Sequence, residues 1–429
     1  MTPRHSSGGI PASAGITSFR PMSQDRTRLM DVLRGLLAGW VVLHHIVLAS
    51  GFDQTVYPWR LLAHHGQESV LVFFILSGFA ITKSLAVRPQ RWSSFLIARL
   101  WRIYPVYLAA LAIGAGVWWY ADYRGGALFV DLSRLGIEAW APEEGSPRWL
   151  HTLLHLFQLH GVVPSAWLPH VDTSLVAPAW SLSTEFQFYV IAPLLCLVLL
   201  HRSGSNRLAL VLVMTMAVIW PNFIDAQAIS PANVLRYIDL FVLGMIGAIA
   251  LGSGLFGKLG YSLAAIIVAA ASLYSGRVIV ATAVFVWLLF WWPSTLTAVE
   301  RLLDTHVGRL GLFMGALSFP LYLIHYPLAR LLLIATTDLV PDNRWVFLAT
   351  WASATVASSY IGAALLHRYV EMPGTRYGKR IAERRETGHR RASQGHVPGL
   401  RELAEARLRP PGNAEASAPT GPTVLGKAG

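Results

Sequence analysis

Ten apolar runs, each long enough or nearly long enough to cross a bilayer, leave this chain few ways to fold. They lie at about residues 31–50, 68–87, 95–120, 180–200, 207–222, 234–252, 258–275, 278–293, 310–335 and 345–367. A hydrocarbon core of ~30 Å takes about 20 apolar residues in a helix, and no backbone N–H or C=O can stay unpaired there. The expected fold is therefore all-α, a polytopic transmembrane helix bundle of about ten spans. Hydrophobic residues make up 54% of the chain and charged residues 14%, with mean hydropathy +0.47, which excludes an ordinary soluble domain. Residues 1–26 are rich in Ser, Gly and Pro and lack the apolar centre of a signal peptide, so they are expected to be disordered. Residues 27–373 form the transmembrane domain, and 374–429 read as a basic, low-complexity cytoplasmic tail.

The net charge of +12 does not point to nucleic acid. From Arg368 onward there are 12 Lys and Arg against 6 Asp and Glu, so half the excess sits in the tail. Arg26 and Arg28, Lys83 to Arg102, His201 to Arg207, and Arg301 with Arg309 all fall at span ends that ten crossings bring to one side. Both termini are then cytoplasmic, in a multi-pass protein of the inner (plasma) membrane. The weakest boundary is Ser275-Gly276-Arg277, which alone separates two spans. Residues 121–179 form one long external connection, whose amphipathic stretch Trp149 to His160 would lie at the interface or cap a cavity. The single cysteine, Cys196, supports neither a disulfide framework nor a thiolate metal site, and no metal is expected.

Ionisable groups inside spans are costly in lipid and mark function or pairing. The first span carries Asp31, Arg34, His44 and His45. Arg34 and His45 lie 11 residues apart, about three turns, so both share a face with ~16 Å between their levels. His44 points ~100° away and is expected to meet a packing partner. Arg99-Leu-Trp-Arg102 sets two guanidinium groups on one face, suited to phosphate, the plain alternative being snorkelling to headgroups. Glu185, in Trp180-Ser-Leu-Ser-Thr-Glu185, enters roughly 7 Å below the external interface and must be paired, protonated or functional. Ser318, Tyr322 and His325 form one polar stripe, on a helix that Pro320 and Pro327 are expected to kink. Ser77 and Gly78 serve either a site or close helix packing. Arg236, Asp239 and Arg330 are expected to be paired.

Depth sorts these groups. Arg34, Arg99 and Arg102 belong to the inner half, whereas His45 and His325 lie beyond the midplane and Glu185 hangs from outside. Such a bundle could hold an anionic donor from the cytoplasm and present its reactive end to acid-base residues. Ten spans with buried Arg, Glu and His equally describe a proton-coupled transporter or flippase for a polar or glycolipid substrate, which would need no coenzyme A. A non-catalytic membrane partner or sensor would tolerate loss of His45.

Across residues 28–373 the chain resembles the acyltransferase 3 family, integral-membrane acyltransferases that include bacterial O-antigen and exopolysaccharide acetylases. The likeness rests on Arg34 and His45 with ten residues between them, Phe73-Phe-Ile-Leu-Ser-Gly-Phe79, Arg99-Leu-Trp-Arg-Ile-Tyr-Pro105, Trp180 to Glu185 with its Phe-Gln-Phe-Tyr189 continuation, Ser318 to His325, and Val370-Glu-Met-Pro373, in that order. The resemblance implies an O-acyltransferase that takes an acetyl or other short acyl group from acetyl-CoA (acyl-CoA) to a hydroxyl of a carbohydrate or lipid-linked sugar acceptor, with membrane lipid around it. Carried over to this chain, His45 is the leading catalytic residue, as base or through a transient covalent step, with Glu185 and His325 beside it. Arg34, Arg99 and Arg102 would bind the donor, and Ser77, Ser318 and Tyr322 would line the substrate site. Gly66-Gln-Glu-Ser-Val departs from the family pattern, which often carries an Asp nearer the Phe pair, and no hydrolase-like domain follows the last span.

Overall fold

The computed structural model describes residues 24–50, 59–87, 90–124, 147–200, 229–251, 300–336 and 343–395, with four isolated helical positions between 262 and 273. The spans expected at 207–222, 258–275 and 278–293 lie outside the described residues, apart from those isolated positions. The fold is an all-α membrane bundle. Its helices are α1 (Gln24–Ser50), α2 (Trp59–Val87), α3 (Trp92–Arg124), α4 (Arg148–Leu156), α5 (Ala179–Leu200), α6 (Ile238–Leu251), α7 (His306–Thr336), α8 (Arg344–Leu366) and, after a π turn at His367–Glu371, α9 (Met372–Gly395). Among the described residues, five stretches are long and apolar enough to cross a membrane: Thr27–Ser50, His65–Val87, Trp92–Ala121, His306–Thr336 and Trp345–His389.

The site is positioned by the packing of α1 on α7. Lipid tails give two apolar helices no hydrophobic reason to associate, so close approach falls to small residues. Here Gly35 and Gly39 of α1 face Met314 and Gly315 of α7, and Gly311 takes the side chain of Val32. A Cβ on Gly35 would stand 2.5 Å from the Gly315 nitrogen, and one on Gly315 would run into the Asp31 backbone. Residues 32 and 45 of α1 meet 311 and 325 of α7, so the helices run parallel and in register. α7 continues unbroken through Pro320 and Pro327. α2 leans on α6 in the same way, Gly78 against the Phe241 backbone and Gly244 against Ile75.

Two segments depart from the sequence expectation. The external stretch does not lie flat at the interface. His151 of α4 meets Trp118 of α3, while Tyr107, about three turns back along α3, donates to the His155 carbonyl at 2.7 Å and Tyr104 bonds that of Leu156. α4 therefore runs antiparallel to α3 into the bundle, and the chain turns back at Gln158, whose φ is 59°. The hydroxyl of Ser183 donates to the Gln158 carbonyl at 2.7 Å, and Gln187 donates to the carbonyls of Gly161 and Ala232 while accepting from the Val234 N–H at 3.0 Å. These side chains supply the partners that a non-helical backbone needs at membrane depth. Burial holds His155 and His160 well below the usual histidine range, His160 at about 4. Their rings stack with centroids 4.0 Å apart.

The second departure is the start of the tail. Asn343 caps α8 through the N–H groups of Trp345 and Val346, and the helix does not stop near residue 367. It passes through the π turn, which accommodates the missing N–H of Pro373, and goes on to Gly395. His367 and buried Glu371 pair across that turn at 2.8 Å.

Candidate active site

His45 and His325 meet between α1 and α7. His325 Nε2 and His45 Nδ1 are 3.2 Å apart, and each ring turns its Nδ1 onto the carbonyl one turn earlier, Val41 at 2.9 Å and Leu321 at 3.0 Å. A carbonyl oxygen only accepts, so both Nδ1 atoms carry the proton in the neutral rings. His45 Nδ1–H is then shared between the Val41 carbonyl and the lone pair of His325 Nε2. His45 Nε2 keeps a lone pair and has no hydrogen-bond partner among the described residues. It is the basic atom of the pair. Tyr326 packs edge-on to the His45 ring at 5.1 Å and lies under the Arg330 guanidinium. His44 turns away into the space opposite Gly66, where no Cβ would fit.

The cations gather elsewhere. Arg34 lies 3.6 Å from Asp31 on its own helix and within electrostatic range of Arg102, Glu185 and Tyr189. Arg99 sits over the rings of Phe95 and Tyr189 at 5.5 and 5.6 Å. Arg102 has no ion-pair partner within bonding distance among the described residues. Three guanidinium groups thus face two carboxylates, and the excess positive charge suits an anion with planar, bidentate oxygens.

Glu185 belongs to this cluster. Ser77 donates to its Oε1, and so does the Tyr189 hydroxyl at 2.5 Å. Its electrostatic neighbours are Arg34, Arg99, Tyr189 and Tyr322. The expected depth just below the external surface is corrected. α5 begins deep because the segment before it is folded into the bundle, with Ser181 already at the level of Tyr322. Gly78 serves helix packing and Ser77 holds Glu185, so the two neighbouring residues divide the roles between them.

Of the polar stripe on α7, only His325 joins the histidine pair. Tyr322 donates to the Pro178 carbonyl at 2.9 Å, lies 2.8 Å from the Ser181 hydroxyl and packs on Phe73, which ties α7 to the start of α5. Ser318 donates to the Gly315 carbonyl at 2.7 Å, within its own helix. Glu68 bonds His65 at 2.6 Å. Tyr189 went unremarked as a functional residue in the sequence although it links Glu185 to Arg99; a tyrosine one turn below an intramembrane carboxylate is a usable signal. The paired Gly-x-x-x-Gly steps at Gly35/Gly39 and Gly311/Gly315 are an equally legible signal of which helices pack together.

An acyltransferase domain model matches residues 28–367, well over half of the chain. A putative membrane-bound transacylase, BcsY, of Komagataeibacter xylinus is 29% identical over 323 residues, 71% of this chain and 73% of that protein. The acyltransferase MdmB of Streptomyces mycarofaciens is 26% identical over 343 residues, 72% of this chain and 80% of its own. No solved structure matches.

Proposed function

The chain belongs to the acyltransferase 3 family and is a membrane acyltransferase, and from that premise we propose that it moves an acetyl or other short acyl group from an acyl-CoA to a hydroxyl of a carbohydrate or lipid-linked sugar, in the inner (plasma) membrane. The observation that carries the reading is the His45–His325 pair, its His45 Nε2 without a hydrogen-bond partner among the described residues, set about 16 Å along α1 from Arg34. A donor with phosphates at one end and a thioester at the other fits that separation.

In this reading Arg34, Arg99 and Arg102 hold the donor phosphates. His45 Nε2 takes the acceptor's hydroxyl proton as the oxygen attacks the thioester carbonyl. The C–S bond then breaks, and the departing thiolate recovers the proton from His45. His325 Nε2 accepts from His45 Nδ1–H, which fixes the ring and stabilises the imidazolium formed midway. A positioned base of this kind is worth 10² to 10⁴ in rate. Glu185 acts on the donor side, ordering Arg99 through Tyr189, and Tyr322, one turn below His325 and within electrostatic range of Glu185, lines the way between the arginine cluster and the pair.

The test is acyl transfer and thioester hydrolysis from labelled acetyl-CoA by the purified protein in detergent, wild type beside His45→Ala and Arg102→Ala. The expected result is turnover by wild type, donor binding without turnover by His45→Ala, and weakened donor binding by Arg102→Ala. Donor that neither binds nor turns over in any of the three would remove the coenzyme A reading.

A further inference from the structure

α9 was expected to be part of a solvated tail, yet it is pressed onto a membrane helix. Gly374 and Gly378 remove the side chains that would block it: a Cβ on Gly374 would stand 2.6 Å from the Trp101 carbonyl, and one on Gly378 2.5 Å from the Trp101 Cβ. Tyr377 packs edge-on to Trp101 at 4.5 Å, and the Arg91 N–H donates to Glu386 at 2.9 Å. These contacts fix the level of every residue between them. α9 runs antiparallel to α3, with Gly374 beside the Trp101 to Pro105 turn and Glu386 beside the residue that precedes α3. Arg380 and Arg384 therefore stand level with the first turns of the span Trp92–Ala121.

The outward face of α9 changes character along that descent. Tyr369 of the π turn and Met372 are exposed at its deep end, followed by exposed Arg376 and Tyr377 side by side and then by exposed Lys379, Arg380, Arg384 and Arg385, with one exposed carboxylate, Glu383. Arg380, Glu383, Arg384, Thr387 and Gly388 line an open concavity of about 380 Å³, in which the two guanidinium groups lie one turn apart with a hydroxyl a turn further on. Apolar and aromatic groups at chain depth followed by paired cations match the chemical gradient of a lipid leaflet, from acyl chain to phosphate.

We infer that this face of α9 is a docking surface for anionic phospholipid headgroups of the leaflet where α1 begins, Arg380 and Arg384 gripping the phosphate, while the Thr387 hydroxyl stays bonded to the Glu383 carbonyl at 2.9 Å. A preference for basic residues on one side of a membrane would be satisfied by an unstructured tail. It does not require a helix fitted against α3 by two glycines, carrying its cations at headgroup level.

The test uses the full chain in detergent and counts retained lipid by native mass spectrometry, with phosphatidylglycerol and phosphatidylcholine offered in equal amounts. Wild type is expected to retain phosphatidylglycerol preferentially, with the preference falling as salt rises. Arg380→Gln and Arg384→Gln, both at exposed positions, are each expected to lower retention about fivefold. Equal retention of the two lipids, a preference indifferent to salt, or unchanged retention by the two variants would overturn the inference. Displacement of the lipid by millimolar inorganic phosphate would also overturn it, marking the concavity as a site for a soluble phosphate compound.

Discussion

Replacing Gly35 by alanine tests whether the glycine contact between α1 and α7 sets the histidine pair. The new Cβ would stand 2.5 Å from the Gly315 nitrogen, 2.7 Å from the Met314 carbonyl carbon and 2.8 Å from its Cβ, and two of those three atoms are backbone that cannot swing aside. Ordinary contact begins near 3.4 Å, so the helices must part by about 0.9 Å. Over-packing of that size costs about 1–3 kcal/mol. The same separation, carried along parallel helices to His45, stretches its 3.2 Å contact with His325 past hydrogen-bond range. A misplacement of ~1 Å near the chemistry is worth up to 10² in rate. Gly116→Ala is the control, because a Cβ there meets nothing within 4 Å. The assay is the thermal unfolding midpoint in detergent together with turnover of labelled acetyl-CoA. Gly35→Ala should unfold earlier and turn over up to a hundredfold more slowly, with Gly116→Ala like wild type. A Gly35→Ala protein with both wild-type values would refute the reasoning.

His325→Ala leaves His45 Nδ1–H its bond to Val41 but removes the acceptor that steadies the imidazolium; kcat should fall 10- to 100-fold with the donor KM unchanged, and a rise in KM alone would argue against a role in the chemical step. Tyr189→Phe deprives Glu185 of one of its two donors, at a cost of about 1–3 kcal/mol, and should weaken donor binding through Arg99; unchanged affinity would detach Glu185 from the donor site. His160 is held by burial at about 4 against 6.5 for a free histidine, so the unfolded chain binds the extra proton first. That stability is complete above pH 6.5 and is lost as pH falls from 6.5 to 4, by up to about 3 kcal/mol. His160→Gln should flatten the acid limb of the unfolding curve, and an unaltered limb would exclude this histidine.

The bundle and the helix faces that carry His45, His325, Arg99 and Arg102 were legible in the chain, because apolar length and helical spacing are local properties. The pairing of His45 with His325 was not, since it depends on which helix packs on which; the small-residue steps at Gly35/Gly39 and Gly311/Gly315 hold that information in outline. Glu185 was set too shallow because the depth of a span was counted from its apolar start, and nothing in periodicity tells that the preceding connection folds inward. The histidines at 151, 155 and 160 looked like the polar side of an interfacial helix, yet all three are buried against backbone carbonyls and Ser174. α9 was hidden by its composition, since Gly374 and Gly378 suggest a loop until a neighbouring helix fills their gaps.

The parallel contact of α1 with α7 bears on how the protein meets bilayers of different thickness. Long spans answer a thinner bilayer by tilting. Two helices locked along one side tilt as a single stave, so the spacing between His45 and His325 is carried unchanged while its height in the membrane shifts. The guanidinium groups of Arg34 and Arg102 sit on α1 and α3, which share no such glycine contact among the described residues, so their spacing is expected to change with tilt. Under the proposed roles membrane thickness acts on donor affinity and leaves the proton-transfer geometry alone: moved between short- and long-chain lipids, the protein should vary in donor KM and hold kcat nearly constant.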